Sequence, residues 1–192
     1  MDTHRRRLFP AAIVILWLLG VGCLLAAPRV VSLADAGDFL VRYSARLALL
    51  WWAGAVVLLI RRNSLARLTW TLACIVYVLH VGIAFQEAHH WSHAAAYRHV
   101  EEVSGFGEGI FVSYAFTLIW LADAAWWWID HRGYESRPRW IGWSVHGFMV
   151  FVIFNATVVF ESGATRWVGA AMLLLLAATW LRSETTNSSP SS

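Results

Sequence analysis

The chain has no lysine: all 15 of its basic residues are arginine. Charge of either sign is scarce, at 14% of 192 residues, where a soluble domain would carry about a quarter. Cysteine is limited to Cys23 and Cys74. Both fall inside apolar stretches, at depths that differ by roughly 12 Å along helical spans. A disulfide, which needs Cα atoms within about 7 Å, is therefore excluded. No CxxC, CxxCH, Walker loop, GxSxG or HExxH occurs, which removes thiol redox chemistry, covalent c-type haem, P-loop chemistry, the α/β-hydrolase elbow and zincin chemistry. With only four prolines, no apolar run is broken by a proline pair of the kind that marks transporter half-helices.

What is present is apolar surface. The chain is 59% hydrophobic and carries 13 tryptophans, with a mean hydropathy of +0.56. Apolar runs of about 20 residues recur along it, and that is the signature of a polytopic membrane protein. The expected fold is an all-α bundle of six transmembrane helices with a short amphipathic helix at the outer surface. It forms a single domain over residues 1–182, followed by a disordered cytoplasmic tail over 183–192. Six spans can be drawn: 8–27, 45–60, 68–85, 109–129, 140–160 and 167–181. The segment 28–44, with Asp35, Asp38 and Tyr43, is read as a short surface helix. The pairs and triplets Trp51-Trp52 and Trp126-Trp127-Trp128 are read as an interfacial aromatic belt.

Arginine orients the spans. Arg5, Arg6, Arg7, Arg61, Arg62, Arg67, Arg132, Arg137, Arg139 and Arg182 fall on one side. Arg29, Arg42, Arg46, Arg98 and Arg166 fall on the other. The positive-inside rule then puts both termini in the cytoplasm. The missing lysine, with abundant alanine, points to a GC-rich bacterial genome and hence to the bacterial inner membrane. Arginines in short loops set topology, so the net charge of +3 is no nucleic-acid signal. The lipid bilayer is the expected partner, with a membrane protein or a second copy of the chain as a further one. Span one competes with a signal peptide, having a basic start, an apolar core and Ala26-Ala27 at a cleavage point. Its apolar length favours an anchor. Cleavage would leave five spans.

One segment hints at chemistry. Residues 86–103 hold four of the eight histidines. Read as a continuous helix, they place His89, His90, His93, Tyr97 and Glu101 on one side. Two imidazoles three or four residues apart can share one Zn, Cu or Fe ion, and a haem is an alternative. Glu87-Ala88-His89-His90 matches the Glu-x-x-His spacing of di-iron carboxylate sites, but those sites need a second such motif and further glutamates. A complete site needs ligands from elsewhere. Glu108, in the glycine-rich turn before span four, is the first candidate, and Glu161 and His80 follow. The competing reading is an interfacial helix whose polar face happens to be His, Tyr and Glu.

Inside the spans, Asp123 and His146 fall at matching depth on neighbouring helices. They are expected to pair, either as a pin between two helices or as a proton relay. His80 and His146 differ in depth by roughly 10 Å and cannot share one haem iron. Three functions remain open: a metal- or haem-binding membrane protein, a non-catalytic membrane subunit or assembly partner, and a small transporter or relay using Asp123 and His146.

Overall fold

The computed structural model describes residues 2–30 and 35–187, with side chains from residue 9 onward except 184, 186 and 187. Among the described residues there are eight α-helices, one π-helical segment and no strand. In chain order they are α1 (Asp2–Val30), α2 (Ala36–Ile60), α3 (Ala66–Glu87), α4 (His93–Ser104), α5 (Gly109–Ile129), α6 (His131–Glu135), α7 (Arg139–Phe154), the π segment (Asn155–Val159) and α8 (Gly163–Asn187). Among the described residues, six stretches are long and apolar enough to cross a bilayer: Phe9–Val30, Ala36–Ile60, Ala66–Glu87, Gly109–Ile129, Arg139–Val159 and Gly163–Ser183.

The expected boundaries shift in three places. Residues 36–44 form no separate surface helix but are the first turns of α2, because Asp35 caps that helix by accepting a hydrogen bond from the Asp38 amide. The last helix runs on through Asn187, into the polar stretch expected to be disordered. Residues 188–192 of that tail, and 31–34 of the segment before α2, lie outside the described residues. The helix expected over 86–103 is interrupted at residues 88–92.

The chain divides into two compact units, residues 1–93 and 94–192. The first is an α2–α3 hairpin with α1 laid against it. Its core is Trp52, Trp70, Val76 and Ser44, with Ala48, Ala55, Ala66, Ala73 and Cys74 between them. Small residues let the helices approach closely, and this is how apolar helices pack where lipid competes for the same contacts. The α1 helix is tied on by its Trp17 indole, which donates to the Leu72 carbonyl at 3.0 Å. In the second unit Trp120, Met149, Phe116, Ile110 and Trp127 are buried. The aromatic-belt reading therefore fits only part of the tryptophans. Trp128, Trp140 and Trp167 are exposed, whereas Trp52 and Trp127 are core residues. The two cysteines are unbridged.

Candidate functional site

The α3 helix ends at Glu87, and residues 88–92 form a turn rather than continuing the helix. Its backbone takes the left-handed conformation at two successive non-glycine residues, His90 (φ 48°) and Trp91 (φ 59°). Such residues cost roughly 1–2 kcal/mol each in isolation. Local bonds hold them in place. The Trp91 amide donates to the Phe85 carbonyl at 2.9 Å, and the Ser92 amide donates to His89 at 2.8 Å. The Trp91 indole donates to the Gln86 side chain at 2.6 Å. His89 packs edge-on against Phe85, with ring centroids 5.7 Å apart. His89 and His90 thus stand on the turn, and His93 opens α4. The single helical face expected for the three does not form. Glu87 has a local role: its carboxylate lies against Gly37, where a Cβ would come within 3.0 Å. That is the first turn of α2, whose unpaired amides favour a negative charge.

In the second unit Tyr97 and Glu108 come together. The Tyr97 ring occupies the space over Gly107, where any Cβ would collide with it. The glycine-rich turn thus makes room for a tyrosine. The phenol donates to Glu108, which, with the nearby charge of Glu101, pushes Tyr97 above the usual tyrosine range. Glu161 is exposed, and its backbone carbonyl accepts from the Arg166 guanidinium at 2.8 Å. Arg166 also reaches the Val159 carbonyl at 3.4 Å, closing the end of the π segment. Within each unit, no three His, Cys, Asp or Glu side chains among the described residues form a metal-binding group.

His80, on α3, forms a 2.9 Å hydrogen bond through Nδ1 to the Ser44 hydroxyl, on α2. Ser44 is wholly buried and also bonds the Val41 carbonyl at 3.0 Å. This polar contact joins the two helices where their neighbours are apolar.

The most elaborate polar cluster surrounds Asp123. Its two oxygens accept from Arg137 at 2.6 Å and from the Tyr134 hydroxyl at 3.0 Å. Both partners come from the connection between α5 and α7, which the short α6 helix folds back onto the end of α5. Asp130 caps α6 by accepting from the Gly133 amide at 2.9 Å. A Cβ at Gly133 would collide with that carboxylate as it is placed, so a side chain there would shift the cap. Tyr134 stacks on Trp127, with ring centroids 4.5 Å apart and planes 10° apart. The Arg137 guanidinium lies 3.7 Å from the Tyr134 centroid. Two groups stacked that closely must take opposite faces of the ring. The side chains of Asp123 and Arg137 are 3% and 11% exposed, so water screens the pair little. His146, the expected partner, stands within electrostatic reach of both charges. Sequence reasoning counted Arg137 only as a topology marker and gave Tyr134 no role. The Asp-x-x-Gly cap at Asp130–Gly133 was the available signal that this loop folds back.

Burial pushes the Tyr134 hydroxyl far above its usual range, and the charge on Asp123 adds to the shift. Below about pH 10, tyrosine is neutral in both folded and unfolded chains, and the cluster contributes fully. As pH rises further, the unfolded chain ionises first and stability falls. Thermal melts stepped into the alkaline range should show this loss in the wild type and a smaller one in Tyr134→Phe. Parallel losses in the two proteins would contradict it. The chain matches no protein-family model, and no curated protein or solved structure is significantly similar to it.

Proposed function

We propose that the chain is a multi-pass protein of the bacterial inner membrane, with both termini cytoplasmic, acting as a non-catalytic subunit or assembly partner. The observation that carries this reading is the use made of its buried polar groups. Asp123 has both oxygens bonded to Tyr134 and Arg137, and Ser44 is bonded to His80 and to its own helix. These are fixed contacts that build helix pairs. A relay would need Asp123 to release its partners during every passage of a proton, so the ion pair counts against that reading. Purification from native membranes in mild detergent is the test. A stoichiometric complex, with itself or another membrane protein, is expected. A monodisperse single chain would overturn the subunit reading. Topology is tested separately by replacing both native cysteines and introducing Ser64→Cys or Ser92→Cys. An impermeant maleimide should label the second from outside the cell and the first only after permeabilisation.

A second reading is favoured by the strained turn. Two consecutive left-handed residues are the kind of backbone that persists where function holds it. On this reading His89, His90 and His93 supply part of a Cu, Zn, Fe or haem site. His80, in the same unit, remains a further candidate. Elemental analysis and an optical spectrum on wild type and on His89→Ala/His93→Ala decide it. Stoichiometric metal or a Soret band, lost in the variant, would support this reading. The companion variant His90→Gly separates strain from ligation. A purely structural turn should gain up to about 1 kcal/mol from relief of the left-handed conformation, with no change in metal content.

A further inference from the structure

The α2–α3 hairpin has an unusual charge balance. Between Asp38 and Glu87 the chain contains no carboxylate at all. The turn at residues 61–65 is therefore cationic without any acid near it in sequence. Arg61 and Arg62 are both exposed there. The turn is rigidly built. The Asn63 amide donates to the Leu58 carbonyl at 2.9 Å and the Arg62 amide to Leu59 at 3.0 Å. This is the double bond pattern of a Schellman motif. Arg62 occupies its left-handed position, with φ 49°, where glycine is the default. The Asn63 side chain accepts from the Leu65 amide at 2.9 Å. No acidic residue stands in the first turn of α3, so the positive end of that helix adds to the field. The α5–α7 connection differs: Arg137 is held by Asp123, and His131 lies 3.4 Å from Glu135.

We infer that the Arg61–Arg62 turn is a docking surface for the headgroup of an anionic phospholipid. The inference rests on the membrane reading, under which the turn ends two apolar helices and lies at the level of the phosphates. Charge complementarity selects the occupant. A guanidinium binds phosphate oxygens bidentately, and the fixed turn presents two adjacent guanidinium-bearing residues from one short backbone segment. Each basic side chain near an anionic surface adds roughly a fivefold preference, so the pair should give on the order of thirtyfold.

The test uses the full chain in nanodiscs of phosphatidylcholine alone or with added phosphatidylglycerol. The readouts are tryptophan-fluorescence melts and native mass spectrometry of retained lipid. Phosphatidylglycerol should raise the wild-type midpoint, and the increment should shrink with salt. Phosphatidylglycerol should also be retained over phosphatidylcholine. In Arg61→Gln/Arg62→Gln both effects should be lost, while the midpoint in phosphatidylcholine stays at the wild-type value. Equal midpoints in the two lipids, or an increment that survives the double substitution, overturns the inference and leaves the membrane reading intact. An increment reproduced by inorganic phosphate in phosphatidylcholine discs assigns the turn to a free anion and also overturns it. Failure of the wild type to enter discs of either lipid overturns both readings.

Discussion

Arg137→Met is expected to cost about 3–5 kcal/mol, the range for stripping one partner from a buried ion pair. The loss has two sources. Asp123, at 3% side-chain exposure, loses the guanidinium that balances it and keeps the Tyr134 hydroxyl as a hydrogen-bond donor. Tyr134 loses the guanidinium from one face of its ring. Asp123→Leu alone strands Arg137 in the same way. The combination Asp123→Leu/Arg137→Met/Tyr134→Phe removes these three members together, leaves neither charge of the ion pair stranded, and should recover most of the loss. Arg137→Lys separates charge from shape. It keeps a cation beside Asp123 but cannot stack flat on tyrosine, so it should fall between wild type and Arg137→Met. Detergent-phase denaturation of the four variants measures all of this. Additive losses across the set would show that the residues do not act as a unit.

The same cluster marks how far the sequence could be read. Each of the six long helices was legible, because about 20 apolar residues in a row have few alternatives to a long helix. The place of Asp123 inside one of those helices was legible too, as was its need for a partner. That Arg137 and Tyr134 bond to it was not. His146 and Asp123 are placed by counting along two helices, whereas Arg137 reaches Asp123 only because α6 reverses the chain after Asp130. A fold-back of five residues leaves no periodic trace. The histidine segment failed for a related reason. Its spacing fits a helix at every position, and no glycine or proline announces the break. The helix ends because the Trp91 amide bonds the Phe85 carbonyl and its indole bonds Gln86. Those contacts can be seen only in three dimensions. The aromatic pairs divided along the same line. Composition placed Trp51-Trp52 and Trp126-Trp127-Trp128 near span ends, but only packing decides that Trp52 and Trp127 turn inward.

Gly169 is the other position where a single small change should have a large effect. It is buried where α8 meets the π segment. A Cβ there would lie 2.7 Å from the Thr157 Cβ and 2.9 Å from both the Thr157 carbonyl oxygen and Oγ1. One of those atoms is backbone, so rotating the Thr157 side chain cannot make room. The π segment is itself fixed: the Phe160 amide donates to the Asn155 carbonyl at 2.9 Å, and the Thr157 hydroxyl donates to Ile153 at 2.7 Å. The strain must then be taken up by moving α8. That helix has few other holds. Trp167, Leu174 and Leu175 are about 70% exposed, and the edge-on contact of Trp180 with Trp143, centroids 5.5 Å apart, is its main aromatic tie. Gly169→Ala is expected to cost about 1–3 kcal/mol, as overpacking does elsewhere, and Gly169→Leu to detach α8 from the π segment. Thr157→Ala alone should lose only the hydroxyl's bond, about 1 kcal/mol. Added to Gly169→Ala, it should rescue little, because the Cβ and the carbonyl remain. Melts of the four variants, with protease cleavage after Arg166 as a report on α8 docking, test the idea. A Gly169→Ala protein as stable as wild type, or one fully rescued by Thr157→Ala, would show that side chains rather than backbone set the approach of these two segments.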